Sequence, residues 1–133
     1  MNQGQIYGDV TLGSADRLTN SGAIHGDVTL GSGDTFNARG GEVTGAITAS
    51  SGDLLNFSGS FGHVTIDNFT AGTGAAHDTI ELLGTGGFGA YATLSSSMAQ
   101  VGSDVVIRLG ATDSITLNDV RLSSLASADF KMA

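Results

Sequence analysis

Gly4–Asn20 reads GQIYGDVTLGSADRLTN, Gly22–Ala38 reads GAIHGDVTLGSGDTFNA, and Gly41–Phe57 reads GEVTGAITASSGDLLNF. The leading glycines, Gly4, Gly22 and Gly41, stand 18 and then 19 residues apart. A fourth, looser copy spans Gly62–Leu82, and its HDTIEL matches the ADRLTN, GDTFNA and GDLLNF endings. Repetition at this period marks a solenoid, in which each unit is too small to bury its own apolar face and must stack on its neighbours.

Each unit reads as two short strands joined by turns. Ile6, Gly8, Val10 and Leu12 alternate with Tyr7, Asp9 and Thr11. Ile24, Gly26, Val28 and Leu30 repeat the pattern, as do Val43, Gly45, Ile47 and Ala49. Period two with one polar side is a strand with one wet face. The second strand follows Asp16, Asp34, Asp53 and Asp78, with Leu18, Phe36, Leu55 and Ile80 turned inward. Gly13, Gly31, Gly33 and Gly52 are expected at tight turns with positive φ. An antiparallel meander is the rival, but the Asn-Gly type turns that would favour it are missing. The expected fold is therefore all-β, a parallel β-solenoid in which Val10, Val28 and Ile47 form one interior column.

Stacking puts Asp9 beside Asp27, and Asp16, Asp34 and Asp53 in a second column. Like charges directly opposite one another are destabilising. Bound cations or solvation of outward carboxylates would relieve the repulsion.

Composition limits the partners. The 133 residues include 21 Gly and no Pro, Cys or Trp, and carry a net charge of −8. With 40 % apolar and only 14 % charged residues, the chain has the makings of a folded core. The basic residues are Arg17, Arg39, Arg108, Arg121 and Lys131, too few and too scattered in sequence to hold a nucleic-acid backbone. No apolar run approaches a membrane span, and MNQGQIYGDV lacks the basic and apolar regions of a cleavable leader. Absence of Cys excludes thiolate metal sites.

The corners and the C-terminal half resemble one family. Gly31-Ser-Gly-Asp-Thr-Phe36, Gly13-Ser-Ala-Asp-Arg-Leu18 and Ser51-Gly-Asp-Leu-Leu55 resemble a worn GGxGxDxUx nonapeptide, where U is a large apolar residue. IDNFTAGTGAAHDTIELLG and MAQVGSDVVIRLGATDSITLNDVRLSSLASADF are similar to the ends of RTX (hemolysin-type, calcium-binding) proteins exported by type I secretion. The likeness covers residues 62–130 well and 4–58 loosely. It implies a right-handed parallel β-roll or β-helix, one domain over 1–133, with coils at 4–82 and a C-terminal capping segment at 83–133. It also implies an uncleaved export signal near the C-terminus, a secreted, extracellular destination and the type I secretion machinery as partner. Calcium is the implied cofactor, with Asp16, Asp34, Asp53 and Asp78 as metal ligands. Weak calcium sites would let such a chain stay unfolded in the cytoplasm and fold after export. The sequence departs from the pattern in having Ser14, Ser32 and Ser51 where the family has Gly two residues before the Asp, and it lacks the Gly pair. The units also resemble Gly-rich autotransporter passenger coils, which need no metal.

No catalytic constellation is visible, so the chain is expected not to be an enzyme. His25, His63 and His77 lie far apart and lack zinc-protease spacing. Gly84-Thr-Gly86-Gly-Phe-Gly89 matches GxGxxG, followed by an expected helix over Tyr91–Gln100, but a chain this rich in Gly produces such matches by chance. The alternative function is a carbohydrate-binding or adhesive module attached to a polysaccharide-modifying enzyme or adhesin. It would use the row Tyr7, His25 and Thr44 to meet extracellular polysaccharide.

Overall fold

A computed structural model describes residues 1–83, 94–109 and 112–132. Each of the first three coils has three strands, not the two expected. The first sheet holds β1 (Gln5–Ile6), β4 (Ala23–Ile24) and β7 (Glu42–Val43). The second starts with β2 (Val10–Thr11), β5 (Val28–Thr29), β8 (Ala46–Thr48) and β10 (His63–Asp67). The third runs through β3 (Arg17–Asn20), β6 (Thr35–Arg39), β9 (Leu54–Ser58) and β11 (Thr79–Leu83). The long first strand expected from the alternation is broken by a corner at residues 7–9. The alternation survives the corner because the chain turns without changing which side faces inward. Ile24, Val28 and Ile47 are all fully buried, while Tyr7 is 79 % exposed.

All pairing among these strands is parallel, and the register is that of the repeat. Val10 pairs with Val28, and Val28 with Ile47, which in turn pairs with Ile66. In the third sheet Leu18, Phe36, Leu55 and Ile80 form the matching column. Phe36, Leu55, Phe57, Ile66, Ile80 and Leu82 are at most 1 % exposed, so these ladders are the core. Burying one such side chain contributes about 1.5–3 kcal/mol, which a single coil could not collect.

The C-terminal segment closes this stack in two ways. β14 (Ser114–Leu117) lies parallel on β10, and β15 (Phe130–Met132) lies parallel on β11. Phe130 thereby extends the Leu18 column over Ile80. β12 (Met98–Val101) and β13 (Asp104–Arg108) pair antiparallel with each other, and β13 pairs antiparallel with β14. The second sheet therefore ends in antiparallel strands. Met98–Gln100 is strand, not the helix expected there, and the GxGxxG segment lies outside the described residues. Among the described residues no helix is long and apolar enough to cross a membrane.

The residue before Asp16, Asp34 and Asp53 occupies the left-handed region. Gly33 has φ 70° and Gly52 φ 68°, as expected. Gly13 and Gly31 do not share it, and the equivalent position of the first coil is Ala15 at φ 57°. An L-residue there costs about 1–2 kcal/mol, partly offset by the smaller unfolded-state entropy of Ala. Ala15→Gly is expected to stabilise the fold by about 0.5–1 kcal/mol, read as a rise in the urea midpoint at unchanged slope.

Candidate functional site: the aspartate corner

Asp16, Asp34, Asp53 and Asp78 form one column at the entry to the third sheet. Asp16 is exposed, whereas Asp34, Asp53 and Asp78 are 1 %, 2 % and 0 % exposed. Asp34, Asp53 and Asp78 each work in two directions, and Asp16 in the first of them. One oxygen reaches back along its own turn. Asp16 accepts from the Gly13 N–H at 2.8 Å, Asp34 from Gly31 at 2.6 Å, Asp53 from Ser50 at 2.7 Å and Asp78 from Thr70 at 2.9 Å. The other oxygen reaches to the preceding coil. Asp34 accepts the N–H of Asp16 at 2.7 Å, Asp53 that of Asp34 at 2.9 Å, and Asp78 that of Asp53 at 2.8 Å. The column is thus a ladder in which every step joins a side chain to the backbone of its neighbour.

This arrangement answers the repulsion expected from stacked carboxylates. Backbone N–H groups bring partial positive charge to both oxygens of Asp34, Asp53 and Asp78, and bonds to an ionised acceptor are stronger than neutral ones. Burial still dominates at Asp78, whose pKa is raised by desolvation. The N–H bonds from Thr70 and Asp53 and the charge of His77 oppose that rise, while the charge of Asp53 adds to it.

A fifth aspartate belongs to the corner and escaped the sequence reading. Asp129 is fully buried and accepts from the Ala126 N–H at 2.8 Å and from the Gly72 N–H at 2.9 and 3.0 Å. His77 Nδ1 lies 3.6 Å from it, close to the Asp78 carbonyl. Ser127-Ala128-Asp129 repeats Ser14-Ala15-Asp16, and that tripeptide was the available signal. A second corner uses the same device. Asp9 accepts the N–H of Asp27, and Asp27 that of Ala46, both at 2.8 Å.

The ligand set implied for calcium can be tested against this geometry. Calcium takes roughly six to eight oxygen ligands. Here both oxygens of Asp34, Asp53 and Asp78, and one of Asp16, meet N–H hydrogens, which a cation would have to face. Among the described residues no three acidic or histidine side chains converge as a metal cluster. The donor set does not fit a calcium cage.

The row Tyr7, His25 and Thr44 is on the surface as expected. The Tyr7 and His25 rings stack with centroids 4.8 Å apart and planes within 10°. Gln5 Oε1 bridges them, meeting the Tyr7 hydroxyl and, at 3.2 Å, His25 Nε2. Their faces are turned to each other along the coil axis and not outward. His63 is bound elsewhere, 2.7 Å from Ser114 Oγ.

Three sheets, parallel through the coils and carrying apolar ladders, define a parallel β-roll or β-helix solenoid. Among solved structures the chain is similar to the extracellular lipase LipA from Serratia marcescens, with a TM-score of 0.59 and 24 % identity. The likeness covers 94 % of this chain and 21 % of the lipase, so the chain spans about a fifth of that protein's length. No family model and no curated protein matches the chain.

Proposed function

We propose that the chain is a non-catalytic RTX-type module that folds outside the cell and carries a type I export signal for a larger extracellular protein. The observation that carries this reading is the in-register parallel stack closed by β14 and β15, in the arrangement expected of such an end piece. Its likeness to a minor part of an extracellular lipase supports it. So does the use of the described acidic corners for backbone bonding and not for reacting groups. The export signal lies in the C-terminal segment. A passenger fused upstream of the full chain is expected to leave a host that has a type I exporter, and deleting residues 114–133 is expected to hold it inside. Equal export of both fusions would end the proposal.

Calcium on Asp16, Asp34, Asp53 and Asp78 is the further expectation of the resemblance. Because these residues do not fit a cage, folding in this proposal runs through the N–H ladder and not through the ion. Circular dichroism in EDTA is expected to show the same β signal and one cooperative melt. A β signal that appears only on adding millimolar calcium would return the ion to the corner.

A further inference from the structure

The outer face of the third sheet gathers the chain's scarce cations. Arg17 and Arg39 border a groove of about 290 Å³ whose other side chains include Thr19, Asn37, Asn56 and Ser58. Lys131 lies on the same face, paired in register with Glu81. Three of the five basic residues of a chain with net charge −8 thus share one face. The corner aspartates are engaged by backbone N–H groups, and the carboxylate on this face, Glu81, stands in register with Lys131 and Asn56 and not with either arginine. Among the described residues neither the Arg17 nor the Arg39 guanidinium has an ion-pair or hydrogen-bond partner.

The floor between them is a polar ladder. Thr19, Asn37 and Asn56 stand in register on successive coils. Asn37 Nδ2 donates to Thr19 Oγ1 at 3.4 Å, and Asn56 Nδ2 donates to Asn37 Oδ1 at 2.6 Å. Each amide nitrogen has a second hydrogen to give. The groove therefore offers N–H donors from two guanidiniums and two amides. Arg17 and Arg39 are set apart by four residues along the strand direction, about 13 Å, and by one coil, about 4.8 Å. That separation is too wide for one carboxylate to bridge, and the groove lies open along the sheet.

We propose that this face binds a linear acidic polysaccharide, with Arg17 and Arg39 each taking a carboxylate of different sugar residues and Asn37 and Asn56 donating to oxygens between them. Guanidinium groups recognise carboxylates in paired hydrogen bonds. An acidic protein partner would need a large apolar anchor, and the groove's lining is polar except for Ala38, which is 2 % exposed. Nucleic acid is opposed by the absence from the groove of aromatic rings on which bases would stack. This site differs from the Tyr7–His25 row and does not depend on the export signal, so either proposal can fail alone.

The test is calorimetric titration of the full chain at low salt with polygalacturonate, with neutral dextran and with polyglutamate. Polygalacturonate is expected to bind, weakening steeply with added salt. Arg17→Gln and Arg39→Gln are each expected to weaken it about tenfold, while Arg108→Gln, on β13, leaves it unchanged. Circular dichroism confirms that each variant is folded. No binding of polygalacturonate, or equal binding by the Arg17→Gln/Arg39→Gln double variant, overturns the site. Equal affinity for dextran removes the charge requirement, and equal affinity for polyglutamate removes the sugar; either overturns the assignment.

Discussion

Asp53→Ala is expected to destabilise the fold by about 3–5 kcal/mol, close to the whole stability of many small domains. Asp53 holds the Asp34 N–H with one oxygen and the Ser50 N–H with the other. Removing the carboxylate orphans both donors, and each one left buried costs about 1–3 kcal/mol. The Asp53 N–H keeps its bond to Asp78, so the loss is local to one step of the ladder. Asp53→Asn tests the mechanism against simple cavity formation. It preserves the volume but can accept with only one of its two terminal atoms, and its amide hydrogens meet a donor. Most of the alanine loss should therefore persist. Asp16→Ala should cost well under half as much, because Asp16 is exposed and water can satisfy Gly13. Urea unfolding of the three variants reads the series. Equal losses at Asp16 and Asp53 would show that the ladder is not what holds the coils.

The raised pKa of Asp78 adds a pH dependence with a defined sign. The folded state holds this proton more tightly than the unfolded chain does, so stability from this group falls as pH rises from the ordinary carboxylate value to the raised one. Asp78→Asn removes that slope. Comparing urea midpoints of the two proteins across the acid range checks it, and a slope unchanged by the substitution would assign the effect to another group.

What the sequence disclosed follows from how locally each feature is encoded. The columns Val10–Val28–Ile47 and Leu18–Phe36–Leu55–Ile80 were legible because period-two alternation and the 18- to 19-residue repeat fix both face and register. The corner at residues 7–9 was not, since a bend that keeps inward residues inward leaves the alternation intact. The aspartate column was placed correctly in one line, but its orientation was hidden. An Asp aimed at a cation and an Asp aimed at a neighbour's N–H have the same spacing. The Arg17–Arg39 groove was invisible because the two residues are far apart in the chain and meet only through the offset of adjacent coils. The closing strand β15 needed the pairing of Ile80 with Phe130, 50 residues apart.

Gly31→Ala is expected to be the most damaging single-methyl addition in this turn, costing about 3 kcal/mol or more, although Gly31 lacks a positive φ. A Cβ built there falls 1.3 Å from the Gly13 carbonyl oxygen and 2.6 Å from its carbon. Both are backbone atoms of the adjacent coil, so no side chain can rotate aside. The coils must separate at the step where Asp34 joins the Gly31 and Asp16 N–H groups. Gly33, two residues on, supplies the control. A Cβ there meets nothing within 4 Å, and its demand is only for φ 70°. Gly33→Ala should cost about 1 kcal/mol, since Ala15 already occupies the equivalent position. Two glycines of one turn thus serve different ends, one letting two backbones meet and the other letting a chain bend. Thermal melts that rank Gly33→Ala as the more harmful would mean that the coils do not approach so closely at Gly13.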